Sequence, residues 1–217
     1  MIARLLLLAC PLLAAAAPQT VPVPVPAPTP VASPTATPRT YATVSVTVTT
    51  SEGPITLALE RERAPVTTAN FLRYVDARRF DGTNFYRAMP LGESAGLIQG
   101  GVRNRSDLIF PAIAHEPTTK TGLTHDDGAI SLARAAPGSG RGDFFIVVGS
   151  VPTLDADPAA SGDKLGYAAF GHVTAGMDIV RRILRAPTAA GGPPGMTGQI
   201  LSAPVKIVSV RRMMARR

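Results

Sequence analysis

The chain has 217 residues, which suits one domain of ordinary size plus extensions. A hydrophobic share of 45% allows a sizeable core, and a net charge of +7 admits anionic partners without being a nucleic-acid signature in itself. Past the N-terminus no run of 18 or more apolar residues occurs, so nothing further reads as a membrane-spanning helix.

The first residues read as a targeting segment. Arg4 gives a short positive region, Leu5 to Leu13 is apolar apart from Cys10 and Pro11, and small residues follow from Ala14 to Ala17. The pattern predicts a signal peptide over 1–16. Ala14 and Ala16 satisfy the small-x-small rule, and a cut after Ala17 would place Pro18 directly behind the scissile bond. Leu7-Leu8-Ala9-Cys10 loosely resembles a lipobox, which leaves lipidation of Cys10 as the alternative, against a very short apolar stretch before it. Cleavage after Ala16 removes the only cysteine and leaves a charge of +6, which is 7 minus Arg4. The expected destination is outside the cytoplasm, in the periplasm or secreted.

Residues 17–40 form a proline-rich linker. Pro18, Pro22, Pro24, Pro26, Pro28, Pro30, Pro34 and Pro38 recur among small and β-branched residues. Proline fixes φ and removes a backbone donor, so the expected state is an extended spacer at about 3.1 Å per residue. It serves either as a tether or as a docking motif for another module.

The folded domain is expected over 41–217. Val44, Val46 and Val48 alternate with polar residues, Ser51-Glu52-Gly53 reads as a turn, and Ile55, Leu57 and Leu59 alternate again, which makes a hairpin. Pro65 opens a helix whose Thr68, Phe71, Leu72 and Val75 share one face. Short strands follow at Asn84–Met89, Leu97–Gln99, Ala129–Leu132, Phe144–Val148 and Ala168–Val173. A helix is predicted over Ala175–Leu184, and a last strand over Val205–Val210. The reading is mainly β, a closed eight-stranded antiparallel barrel capped by two helices, although the pattern alone also allows a sandwich.

Several segments then resemble one family, in family order. Ala64-Pro65-Val66-Thr67-Thr68-Ala69-Asn70-Phe71 is similar to the first helix of cyclophilins. Phe80-Asp81-Gly82-Thr83-Asn84-Phe85-Tyr86-Arg87 is similar to their segment ending Phe-His-Arg. Leu97-Ile98-Gln99-Gly100-Gly101, Ile130-Ser131-Leu132-Ala133, Phe144-Phe145-Ile146, Leu154-Asp155 and Tyr167-Ala168-Ala169-Phe170-Gly171 continue the likeness, which spans Tyr41 to Arg211.

The resemblance implies a peptidyl-prolyl cis/trans isomerase that folds exported proteins and needs no cofactor or metal. Arg87 would donate to the proline nitrogen, and Gln99 would bridge Arg87 and the substrate carbonyl. Phe85, Leu97, Leu132, Phe145 and Leu154 would wall the proline slot. Ala133 would pair with the substrate backbone, and Tyr167 would contact it through its hydroxyl. The implied partners are proline-containing polypeptides rather than nucleic acid, and a monomer is expected. Two other readings stand beside this one: a non-catalytic module or chaperone that holds proline peptides, and an envelope protein working through its basic surface.

The chain departs from the family pattern in places. Leu91-Gly92-Glu93-Ser94-Ala95 is extra, Gly96 stands where an aromatic pocket wall is usual, Asp143 replaces Gln or Glu, and Arg134 replaces Asn. There is no tryptophan at the edge used for cyclosporin, where Thr153 stands nearby. His115, His125 and His172 lack ligand spacing, His125-Asp126-Asp127 reads as a turn, and Ser131 lies outside any nucleophile elbow. Gly191-Gly192-Pro193-Pro194-Gly195 reads as an inserted surface loop, and Arg211, Arg212, Arg216 and Arg217 as a solvated, frayed tail.

Overall fold

The computed structural model describes residues 39–103 and 105–213. The signal-peptide reading, nearly all of the linker, and Arg216 and Arg217 lie outside the described residues. In chain order the elements are β1 (Thr43–Thr50), β2 (Gly53–Glu60), α1 (Pro65–Asp76), β3 (Asn84–Leu91), β4 (Ala95–Gly101) and α2 (Thr118–Thr121). They continue with β5 (Ala129–Leu132), β6 (Asp143–Val148), β7 (Ala168–Ala175), α3 (Met177–Leu184) and β8 (Ile200–Arg212). The strands close into one antiparallel barrel in the order β1-β2-β7-β5-β6-β4-β3-β8. This is a barrel and not a sandwich, and closure leaves no unpaired sheet edge.

Alternation along the strands fills the interior. Val46, Val48, Ile55, Leu57 and Leu59 point inward from the first hairpin and are fully buried. An aromatic cluster forms the centre: Phe71 of α1 lies 4.9 Å from Phe80, 5.3 Å from Phe144 and 5.3 Å from Phe170, ring centre to ring centre. The two predicted helices lie at opposite ends of β2. Thr68 of α1 donates to the Glu60 carbonyl, whereas Gly176 before α3 lies against Pro54 and Ile55. Ile179, Val180, Ile183 and Leu184 form the buried face of α3, one residue set different from the predicted Met177, Val180, Ile183 and Leu184. The one-turn α2 and a 3-10 turn at Pro152–Leu154 were not predicted.

Helix α1 begins without a side-chain cap on Ala64. Its free N–H groups are met from far along the chain: buried Glu116 accepts from the Val66 N–H at 3.2 Å, the Thr67 N–H at 2.7 Å and the Thr67 hydroxyl at 2.8 Å.

The extra residues Leu91–Ala95 lengthen the β3–β4 hairpin, with Leu91 paired to Ala95. Two sequence expectations need correction. The last strand runs on to Arg212. Arg211 holds Asp81 at 2.7 Å and Arg212 holds Asp76 at 2.5 Å, so these two arginines are strand residues and not a frayed tail. Finally, Gly96 faces away from the groove, because in β4 it shares the inward side with Ile98 while Leu97 and Gln99 face outward. A Cβ at Gly96 would sit 2.6 Å from the Met89 carbonyl oxygen and 3.0 Å from the Leu184 side chain. No aromatic wall fits there, since α3 occupies the space.

Gly96→Ala should therefore destabilise the fold by about 1–3 kcal/mol, the range for overpacking a filled interior. Peptide affinity of the folded variant should stay unchanged. Urea denaturation followed by circular dichroism reads the first effect and calorimetric titration the second; a variant as stable as the parent would show that α3 yields easily.

Candidate active site

A bulge in β3 creates the site. Against β4 the register runs Phe85↔Gly100 and then Arg87↔Gln99, so Tyr86 is the extra residue. Strict alternation would put Phe85 and Arg87 on one face. With the bulge, Phe85 turns into the core, while Tyr86, Arg87 and Met89 line a groove on the outer face.

The Arg87 guanidinium is held on two sides. Nη1 donates to Gln99 Oε1 at 2.8 Å, while Nε and Nη2 donate to Gln199 Oε1 at 2.8 and 2.5 Å. Nη2 also donates to Met89 Sδ at 3.1 Å. Arginine has only donors, so both glutamines must turn their amide oxygens toward it. The Gln99 Nε2 then donates to the Tyr86 hydroxyl at 2.8 Å, and that hydroxyl donates to Asp143 Oδ2 at 3.2 Å. The other Asp143 oxygen accepts from the Arg103 N–H at 2.6 Å. Burial pulls the Arg87 pKa below its ordinary value and pushes those of Tyr86 and Asp143 up. Arg87 nonetheless stays a cation at neutral pH, because guanidinium starts so high.

Beside this row lies an apolar slot, part of a groove of about 600 Å³. Phe145 of β6 is its floor, with Leu97, Met89, Leu154, Ala133 and Tyr167 around it. The Tyr167 ring stands edge-on to Phe145 at 5.3 Å and 87°, and Arg134 lies over its other side at 5.1 Å. Arg134 also grips Asp163 at 2.8 Å and the Gly166 carbonyl, which pins the 163–167 segment. Behind the floor, His125 stacks on Phe145 with 16° between the rings. His125 Nδ1 donates to Asp155 Oδ1 at 2.6 Å, a carboxylate oxygen that only accepts, so Nε2 takes the Ser131 hydroxyl at 2.9 Å. His125 and Ser131 are both 0% exposed, so this Ser-His-Asp row meets no substrate and acts as backing for Phe145.

The model of the cyclophilin type peptidyl-prolyl cis-trans isomerase/CLD family matches residues 45–211. A peptidyl-prolyl cis-trans isomerase of Acinetobacter baylyi is 33% identical over 174 residues, covering 78% of this chain and 86% of its own. The chain belongs to the cyclophilin family of peptidyl-prolyl cis-trans isomerases. Peptidyl-prolyl cis-trans isomerase A of Dickeya dadantii is 35% identical over 153 residues, 68% of this chain and 75% of that one. Among solved structures, a cyclophilin type isomerase of Cryptosporidium parvum superposes with a TM-score of 0.62 at 18% identity, covering 81% of this chain and 100% of that one, which is a likeness of fold.

Placed on this cyclophilin barrel, Arg87, Gln99, Leu97, Phe145, Ala133, Leu154 and Tyr167 all converge on the groove. Phe85 and Leu132 do not. Both face the core, Phe85 because of the bulge and Leu132 because it lies two residues from inward Ile130 on β5. The Ala133 N–H is taken by the Asp143 carbonyl at 2.9 Å, so backbone pairing with a peptide there falls to its own carbonyl. Sequence reasoning missed Met89, Pro193 and Met196 as groove residues, and Gln199 as a partner of Arg87. Met89 was visible as the next outward position after Arg87; Pro193 sits in the run that reads as a surface loop, and Met196 and Gln199 follow just behind it.

A second depression of about 610 Å³ runs along α1 beside Leu72 and Phe110, with Arg61, Arg73 and the Asp76–Arg212 pair in its lining. Among the described residues no group of three His, Cys, Asp or Glu side chains converges on a point, and no helix is long and apolar enough to cross a membrane.

Burial lowers the His125 pKa from 6.5, with Asp155 and Asp126 opposing. The folded state thus keeps the ring neutral, whereas the unfolded chain protonates near 6.5. The stability that follows is fully present above that pH and drains away as pH falls below it toward the folded value. Thermal melts from pH 7.5 to 5 should show a falling Tm, and His125→Gln should flatten the slope. Parallel pH profiles for parent and variant would rule out His125 as the group responsible.

Proposed function

We propose that this chain accelerates X-Pro isomerisation during the folding of exported proteins, with Arg87 as the donor to the proline nitrogen. An X-Pro bond crosses a barrier of about 18–20 kcal/mol because twisting it removes amide resonance. In the twisted state the nitrogen recovers its lone pair, and a donor beside it stabilises that state more than either planar one, which is what lowers the barrier. The observation that carries the reading is a half-buried guanidinium, fixed by two glutamine oxygens, at the rim of an apolar slot floored by Phe145. A proline ring suits that slot. One hydrogen of Gln99 Nε2 goes to Tyr86, which leaves the other for the substrate carbonyl.

Arg87→Ala should lower kcat/KM roughly 100- to 1,000-fold, the cost of losing one preorganised donor of about 3–4 kcal/mol. Arg87→Lys keeps the charge without the planar fork and should recover only part of it. Peptide affinity should fall far less than rate. A protease-coupled or NMR exchange assay on a proline peptide makes the measurement; an unchanged rate in folded Arg87→Ala would move the reading to a non-catalytic peptide-binding module. That alternative draws on Gly96 and the adjacent Leu91–Ala95 insertion, of which Gly96 lies on the face of β4 away from the groove.

The exported, periplasmic part of the proposal rests on Arg4, the apolar run Leu5 to Leu13 and the alanines behind it. A monomer without nucleic-acid partners accords with Arg211 and Arg212 being spent on Asp81 and Asp76. N-terminal sequencing of the exported form should find a chain starting at Ala17. A chain starting at a lipid-modified Cys10 would overturn that and make the protein membrane-anchored.

A further inference from the structure

We infer that Gln199 is a positioning residue for the isomerase reaction, and that the 191–199 loop is part of the active site. The inference rests on the reading of Arg87 as donor. Gln199 Oε1 accepts from both Nε and Nη2 of Arg87, at 2.8 and 2.5 Å, so one oxygen chelates a whole edge of the guanidinium. Gln99 takes one Nη1 hydrogen and Met89 Sδ the second Nη2 hydrogen. Of the five N–H donors of arginine, one Nη1 hydrogen is thereby left for substrate.

Gln199 is itself fixed at both ends of its backbone. Its carbonyl accepts from the N–H of Ala88, the residue after Arg87, at 2.9 Å, and its N–H donates to the Met196 carbonyl at 3.1 Å. The loop before it closes on itself, with the Gly198 N–H donating to the Gly191 carbonyl at 3.2 Å. Pro193 and Met196 from the same loop reach the groove wall. Without the chelating oxygen, the Arg87 side chain keeps Gln99 and the weak acceptor Met89 Sδ and can swing about the Gln99 contact, which carries the free hydrogen away from the twisted nitrogen. Gln199 touches no reacting atom, so its effect must pass entirely through Arg87.

Gln199→Ala should lower kcat/KM roughly 10- to 100-fold, the scale on which small misplacement of a reacting group costs rate, with peptide affinity within about twofold. The Arg87 Nε–H resonance, protected from exchange in the parent, should lose that protection. Gln199→Glu keeps an acceptor oxygen and should restore the protected resonance and part of the rate. In an Arg87→Ala background Gln199→Ala should have no further effect, which a merely structural role would not produce. A wild-type rate in Gln199→Ala, or an equal loss in the Arg87→Ala background, would overturn the inference alone. If the parent itself fails to isomerise the peptide, or Arg87→Ala is fully active, the donor reading falls and this inference with it.

Discussion

A closed barrel obliges every strand residue to face either the core or the outside, and at Tyr86 one extra residue shifts that alternation beside the groove. Two aromatic residues and an arginine in succession would otherwise compete for two faces. The bulge sends Phe85 against Phe144 in the core, at 5.7 Å between ring centres, and leaves Tyr86 and Arg87 together on the surface. A cation and its hydrogen-bonding neighbour thus share one side of one strand. The polar row around Arg87 is built on that displacement, with Gln99 reaching the guanidinium from β4 and Gln199 from the loop just before β8.

Polar and apolar halves of the groove are kept apart by the same pairing of strands. Gln99 and Leu97 alternate outward on β4, and Phe145 is the cross-strand partner of Gln99 on β6. A flat apolar floor therefore begins one strand away from the charge. The floor is stiff because it is supported from below: His125 lies parallel to Phe145, and Asp155 and Ser131 fix both nitrogens of the imidazole. A constellation that elsewhere performs nucleophilic chemistry is here sealed from solvent and serves geometry alone.

The barrel was legible in the sequence because period-two alternation is strong in β1 and β2 and β6 is a short apolar run, and the helix faces followed from Phe71, Leu72 and Val75 and from Val180, Ile183 and Leu184. Most of the groove was legible through resemblance, from Arg87, Gln99, Phe145 and Leu154. What failed did so for local reasons. Phe85 and Leu132 were assigned to the groove through resemblance, and neither the bulge that turns Phe85 inward nor the face that Leu132 takes leaves a mark on the sequence pattern. Gly96 looked like an absent wall because the wall it would have formed is α3's space, visible only once Leu184 is placed beside it. Gln199 was hidden because glycine and proline report turn chemistry and not what the turn is folded against.

The remote capping of α1 by Glu116 bears on how the chain reaches its native state. The acceptor and the donors it serves are 50 and 49 positions apart, so the helix N-terminus is completed only when that long excursion has returned. A twelve-residue helix is marginal alone in water, and this one opens without a local cap. Its formation is therefore tied to a topological event, the closing of the chain between Pro65 and Glu116 over β3 and β4, with the attendant loss of loop entropy. Helix α1 belongs to the cooperative unit of the whole barrel and has no independent life as a nucleus. A chain synthesised from its N-terminus onward would hold that segment without its cap until Glu116 had also been added.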